Sequence, residues 1–209
     1  MDAAASQKIK LHGYWRSGAS WRLRIVLNLK ACEYEYVPVN LLKGEHKSDT
    51  HAGLNPMKQV PVLELDGMFM TESLPICEYL EEACDGQKLL PEDKKDKFAV
   101  RRLCEIINAN TQPIQNLPVL GKVAEIGGDK EEWARWVIER GLTGYEAQIQ
   151  QTSGKYSFGD SVTLADAFLI PQVYNANRFK LDMSKFPKIN AVVANLEQLE
   201  AFQKAHCDA

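Results

Sequence analysis

The stretch Tyr14-Trp15-Arg16-Ser17-Gly18-Ala19-Ser20-Trp21-Arg22-Leu23-Arg24 concentrates hydroxyl and guanidinium groups around a small-residue turn. Hydroxyls and arginines in such a turn can bind an anion, provided the turn opens a helix. A helix N-terminus presents unpaired backbone N–H groups and a partial positive charge, which favour a thiolate, carboxylate or phosphate. Two readings of the serines stand side by side. Ser17 or Ser20 can cap the helix, or a serine hydroxyl can donate to a thiolate that belongs to a ligand. A free thiol ionises near pH 8.5. A hydroxyl donor and a helix N-terminus each favour the thiolate by on the order of 1 kcal/mol.

The elements around this turn follow from the residue pattern. Lys8 to Trp15, with Ile9, Leu11, Tyr14 and Trp15, predicts a short strand, and Leu23, Ile25, Val26, Leu27 and Leu29 predict a helix up to Ala31. Tyr34 to Val39 predicts a second strand. The polar segment from Asn40 to Asn55 predicts a short helix or ordered loop. Val62 to Leu65 and Met68 to Thr71 flank Asp66-Gly67, a hairpin signal. Pro61 stands at the entry of the third strand, where it serves either as a simple strand start or as a cis bond directing the Val60 backbone to a ligand. Glu72-Ser73 opens a further helix, with Ser73 as a possible cap and Pro75 in the first turn. The order β, α, β, α, β, β, α predicts a thioredoxin-like layer over residues 1–84.

Asp85-Gly86 and Pro91 mark a linker over residues 85–93. Beyond it the pattern predicts an all-helical domain over residues 94–209. Its helices are Lys95 to Asn110, Ile114 to Ile126 (broken near Pro118), Glu131 to Ile149, Ala165 to Ala176 and Ile189 to Phe202. Gly127-Gly128-Asp129 reads as a turn. Thr163 with Asp166 reads as a capping box that starts a buried helix.

Composition excludes several function classes. Hydrophobic residues are 45% and charged residues 25% of the chain, with a net charge of −3. That balance fits a globular protein with a sizeable core. No basic stripe with interleaved aromatics suggests nucleic acid. No apolar run approaches the roughly 20 residues that span a bilayer. Met1 to Ser6 lacks the basic start and apolar core of a signal peptide, so a cytoplasmic protein is expected. Cys32, Cys77, Cys84, Cys104 and Cys207 are dispersed and odd in number, which argues for reduced thiols. The histidines show no metal-ligand spacing with them, and no metal site is expected.

Four segments together resemble the zeta class of glutathione transferases, the group that includes maleylacetoacetate isomerase. They are Tyr14 to Arg24, Asn55-Pro56-Met57-Lys58-Gln59-Val60-Pro61, Gln112-Pro113-Ile114-Gln115-Asn116-Leu117, and Pro171-Gln172-Val173-Tyr174-Asn175-Ala176-Asn177-Arg178-Phe179. The resemblance covers nearly the whole chain. It implies a glutathione transferase architecture, an α/β thioredoxin-like N-terminal domain plus an all-α C-terminal domain, with glutathione as cofactor and a homodimer as the assembly. By the same resemblance, Ser17 stabilises the glutathione thiolate, with Gly18 and Ala19 beside it. Val60 pairs its backbone with the cysteinyl part, and Pro61 is cis. Glu72 and Ser73 hold the γ-glutamyl end, His46 falls near the glycyl end, and Gln112, Asn116 and Leu117 line the site from the helical domain.

The resemblance further implies cis–trans isomerisation of a small unsaturated diacid by reversible thiolate addition. Arg178 stands at the substrate-carboxylate position, although capping of the preceding helix is equally open to it, and Arg16 flanks Ser17. Arg22 and Arg24 read as core-edge salt-bridge residues. The family motif Ser-Ser-Cys is here Ser17-Gly18-Ala19, which removes the second hydroxyl and the protein thiol. Two other activities therefore stay open: a detoxifying transferase or α-haloacid dehalogenase acting on a small electrophile, and a glutathione-binding protein with weak catalysis.

Overall fold

The computed structural model describes residues 8–208. The expectation placed on Met1 to Ser6 lies outside the described residues. Two compact units emerge: one reaches to Gln87 and includes the chain from Lys204 onward, and the other spans Lys88–Gln203. The placement of the last residues differs from the single helical domain 94–209 expected from sequence. Its cause is visible within the first unit, where Arg24 Nε donates to the Ala205 carbonyl at 3.0 Å and Trp21 meets His206 edge-to-face.

The first unit is built on a four-stranded sheet in the order β2-β1-β3-β4. Strand β1 (Ile9–Gly13) runs parallel to β2 (Tyr34–Pro38) and antiparallel to β3 (Val62–Leu65), which pairs antiparallel with β4 (Met68–Met70). Leu11 lies opposite both Tyr36 and Leu63, so the two central strands share one apolar row. The β3–β4 turn has positive φ at both Asp66 and Gly67, the type I′ geometry that matches strand twist.

Helix α1 (Gly18–Leu29) is buried along Trp21 to Leu27 on every side, which explains its weak amphipathic pattern. A short 3₁₀ turn, Glu45–Lys47, precedes α2 (Asp49–Leu54), and α3 (Ser73–Ala83) packs on α1. Lys30 and Glu81 form a buried ion pair between the C-terminal ends of α1 and α3.

The second unit consists of α4 (Lys94–Asn108), α5 (Leu117–Glu125), α6 (Lys130–Thr152), α7 (Leu164–Arg178) and α8 (Pro187–Leu196); α9 (Glu200–Ala205) follows, and its last two residues belong to the first unit. Pro118 does not break a helix as the sequence suggests; it sits in the first turn of α5, where its missing N–H costs nothing. The single terminal helix expected over Ile189 to Phe202 is two, α8 and α9, joined by tight i→i−3 bonds at Gln198 and Leu199. The buried residues Ile189, Val192 and Leu196 keep helical phase, but Phe202 lies six further on, outside it. Asp166 accepts from the Thr163 N–H at 2.8 Å and from the Ser157 N–H at 2.9 Å, tying the start of buried α7 to the preceding loop. Among the described residues no helix is long and apolar enough to cross a membrane.

Candidate functional site

Ser17 is the N-cap of α1, and its Oγ accepts the Ser20 N–H at 3.3 Å. The hydroxyl is half-buried and keeps its own proton to donate. Gly18 and Ala19 follow in the first turn, whose N–H groups have no intrahelical acceptor. Ser20 is a different case. It is fully buried, and its Oγ accepts the Tyr14 N–H at 3.3 Å, so it neither caps the helix nor faces a ligand. It holds the turn shut behind Ser17, packed close against Gly13, where a Cβ would lie 3.1 Å from it.

Arg24 donates Nη2 to the Trp15 carbonyl at 2.8 Å and lies over the Tyr36 ring. Its described contacts are thus carbonyls and a ring, in place of the core-edge salt bridge read from sequence. Burial lowers its pKa, opposed by Tyr36 and Tyr34 beside it. The Arg24 link fixes the backbone on which Arg16 sits, and Arg16 in turn lies over the Trp15 ring.

Ser73 joins the same constellation through Arg22. That guanidinium is 1% exposed, and its Nη1 donates to Ser73 Oγ at 3.1 Å. Burial pushes the neighbouring Cys77 thiol up to about 12 against the pull of Arg22. Ser73 does not cap α3. Glu72 is the N-cap residue and makes no side-chain cap, leaving the first N–H groups of α3 beside an accepting-and-donating hydroxyl. Glu72 holds φ at 66° and ψ at 107°, a costly conformation for a residue with a Cβ, and its carboxylate is exposed.

The Val60–Pro61 bond is cis at the entry of β3. The loop before it is pinned at one atom: the Gln59 carbonyl accepts from His51 Nε2 at 2.8 Å and from Asn55 Nδ2 at 3.0 Å. His51 is buried on α2. Sequence reading missed this role, and the signal for it was a histidine four residues before Asn55, one turn apart on the same helix face. His46 lies on the 3₁₀ turn. Burial, with Lys47 and His51 nearby, lowers its pKa from 6.5, and its Nδ1 is buried without a hydrogen-bond partner.

In the second unit, Gln112 and Asn116 lie on the segment between α4 and α5, and Leu117 opens α5. Asn116 Oδ1 caps α5 by accepting the Leu117 N–H at 2.9 Å, and Leu117 is exposed. Helix α6 positions the segment: Trp133 Nε1 donates to the Ile114 carbonyl at 3.1 Å, and Arg140 Nη2 to the Asn110 carbonyl at 3.1 Å. Gly141 lets Thr111 approach, since a Cβ there would lie 2.0 Å from the Thr111 hydroxyl. Buried Gln115 donates to Gln172 on α7 at 3.5 Å. Arg178, at the exposed end of α7, is six residues beyond Gln172, about 9 Å along the axis. Its Nη1 donates to Asn175 Oδ1 at 3.3 Å, and its guanidinium lies over Phe179.

The donor set of the first unit fits a γ-glutamyl thiol peptide. A hydroxyl and first-turn N–H groups at α1 can take an anion, a second hydroxyl and N–H groups stand at α3, and an exposed carboxylate beside them suits an ammonium. Residues 7–82 match the family model described as "Glutathione S-transferase, N-terminal domain". The chain is 45% identical to maleylacetoacetate isomerase of Dictyostelium discoideum, over 95% of this chain and 93% of that protein. It is 45% identical to that of Mus musculus, over 94% and 91%. Among solved structures, a maleyl pyruvate isomerase described as a bacterial zeta-class glutathione transferase superposes with a TM-score of 0.93 at 41% identity, covering 96% of this chain and 97% of that one. Maleylacetoacetate isomerase of Anaeromyxobacter dehalogenans, with glutathione bound in its active site, superposes with a TM-score of 0.90 at 43% identity, covering 97% and 96%. On this fold, this donor set and this similarity over nearly its whole length, the chain belongs to the zeta class of glutathione transferases.

Proposed function

We propose that this chain is a glutathione-dependent cis–trans isomerase that converts maleylacetoacetate to fumarylacetoacetate in tyrosine and phenylalanine catabolism, with glutathione transferase activity besides. The observation that carries the reading is the half-buried Ser17 hydroxyl at the N-terminus of α1, in a chain so similar to maleylacetoacetate isomerases. Glutathione, which Ser17, Val60 and Ser73 would hold, would supply a thiolate nucleophile for reversible addition to the double bond conjugated with the substrate carbonyl.

The chain's own residues do the rest. The Ser17 hydroxyl and the N–H groups of Gly18 and Ala19 hold negative charge on sulfur. Val60, with Pro61, presents backbone to the cysteinyl unit. Ser73 and the first turn of α3 take the γ-glutamyl carboxylate, Glu72 pairs with its ammonium, and His46 stands near the glycyl end. Gln112, Asn116 and Leu117 border the ligand from the helical domain. Arg178, assisted by Arg16, takes the substrate carboxylate, for which a planar guanidinium is suited.

Residues 1–84, with the chain from Lys204 onward, form the glutathione-binding domain, 85–93 the linker and 94–203 the helical domain. The protein acts in the cytoplasm as a homodimer. Loss of the family's cysteine leaves the mechanism intact, because the step needs a thiolate on the ligand and none on the chain.

Steady-state isomerisation of maleylacetone tests the reading. Turnover is expected with glutathione and absent without it. Ser17→Ala is expected to lower kcat by about 100-fold, the scale of losing one oriented donor to developing charge. Arg178→Leu is expected to raise KM for the diacid with little change in KM for glutathione. Retained glutathione binding without turnover would reject the isomerase in favour of a transferase or dehalogenase acting on another electrophile, or of a binding protein.

A further inference from the structure

The helices that carry Ser17 and Ser73 at their N-termini bring two cysteines together at their other ends. Cys32 follows α1 in the turn toward β2, and Cys84 is the C-cap of α3. Both are partly exposed, whereas Cys77, Cys104 and Cys207 are buried. Two contacts hold the two helix ends together, and each cysteine's backbone is tied to its own helix. Lys30 and Glu81 form a buried ion pair. The Gly86 backbone runs so close to Lys30 that a Cβ would lie 2.9 Å from the Lys30 carbonyl oxygen. The Cys32 N–H is tied to the Leu27 carbonyl and the Cys84 N–H to the Leu80 carbonyl. Within this frame the two side chains are in hydrogen-bond contact, and Cys32 Sγ also lies 3.7 Å from the Lys30 carbonyl.

We propose that Cys32 and Cys84 form a redox-modification site, a vicinal thiol pair that a disulfide of the glutathione disulfide class converts reversibly to an intramolecular disulfide. The pair lies outside every residue assigned to catalysis or glutathione binding. Burial, with the hydrogen bond to Cys84, pushes the Cys32 thiol up to about 12. Either sulfur of the pair, as its thiolate, displaces one glutathione from the oxidant, which takes up the proton, and forms a mixed disulfide. The other cysteine then attacks the protein sulfur of that mixed disulfide, its proton passes to the departing second glutathione, and the Cys32–Cys84 bond forms. Two protein thiols are oxidised and one glutathione disulfide is reduced to two glutathiones.

The pair is remote from Ser17 and Ser73 by one helix length, about 17 Å. Closure is expected to leave kcat and KM within twofold and to raise the thermal midpoint by roughly 5–10 °C, because it closes a loop of about 50 residues in the unfolded chain.

The test uses the full-length protein incubated with glutathione disulfide, quenched in acid, denatured, alkylated and read by mass spectrometry. Support is the loss of two of the five alkylatable thiols without added glutathione mass, and a cross-linked peptide joining Cys32 to Cys84 that dithiothreitol reverses. Cys32→Ser or Cys84→Ser is expected to abolish the cross-link and trap glutathione as a mixed disulfide on the cysteine that remains. Five free thiols after treatment, a stable glutathione adduct on the native chain, or a cross-link through another cysteine would overturn the proposal. None of these readouts depends on isomerase activity, so the two proposals fail separately.

Discussion

The residue that decides the chemistry is Ser17, and its setting explains how Gly18 and Ala19 can follow it. A cap hydroxyl and first-turn N–H groups are supplied by backbone geometry, which small side chains leave open. His46 belongs to the same scale. Its pKa is lowered chiefly by burial. In the window below 6.5 the unfolded chain therefore binds the extra proton, and His46 makes folding stability rise with pH there. An NMR titration of the His46 ring is expected to give a midpoint below 6.5 that climbs when glutathione is added, since a facing carboxylate favours imidazolium. A midpoint indifferent to glutathione would remove His46 from the ligand's surroundings.

At the scale of elements, helices here are started and tied by groups distant in sequence. Helix α8 has no cap from its own Phe186. Glu146, in the middle of α6, supplies one: its two oxygens accept the Lys188 and Ile189 N–H groups, each at 2.9 Å, and Gln150 donates to it at 3.0 Å. Glu146→Ala leaves those donors buried without partners, and the expected loss is about 2–3 kcal/mol. Urea unfolding should show a lowered midpoint at unchanged slope. A loss under about 1 kcal/mol would mean that water replaces the carboxylate. None of this is legible from Pro187-Lys188-Ile189, because the capping group lies more than forty residues away. The capping box of Thr163 and Asp166 is legible because both halves sit within one turn.

For the whole molecule, the edge of the sheet carries the next prediction. Strand β4 ends the sheet, and its Met68 and Phe69 are exposed, as is Tyr79 on α3. An apolar edge strand left open invites aggregation unless something covers it. A homodimer, as proposed for this chain, would cover that edge with a second copy. Light scattering is expected to return twice the monomer mass, and Phe69→Glu to return the monomer. A wild-type monomer at micromolar concentration would withdraw the dimer.

What the sequence determined by itself is everything governed by short range. The β, α, β, α, β, β, α order, the Asp66-Gly67 turn and the helix opened at Ser17 all depend on residues within a few positions of each other, where apolar period and turn chemistry act directly. Only the tertiary structure decided which serine faces outward and which is buried, that Arg22 ends on the Ser73 hydroxyl, and that His51 pins the Gln59 carbonyl. It also decided that α8 and α9 part where the buried row loses phase, and that Cys32 meets Cys84. Each of these joins groups brought together by packing of separate elements. A side chain's partner across such a junction is set by the orientation of two backbones, which no local pattern encodes.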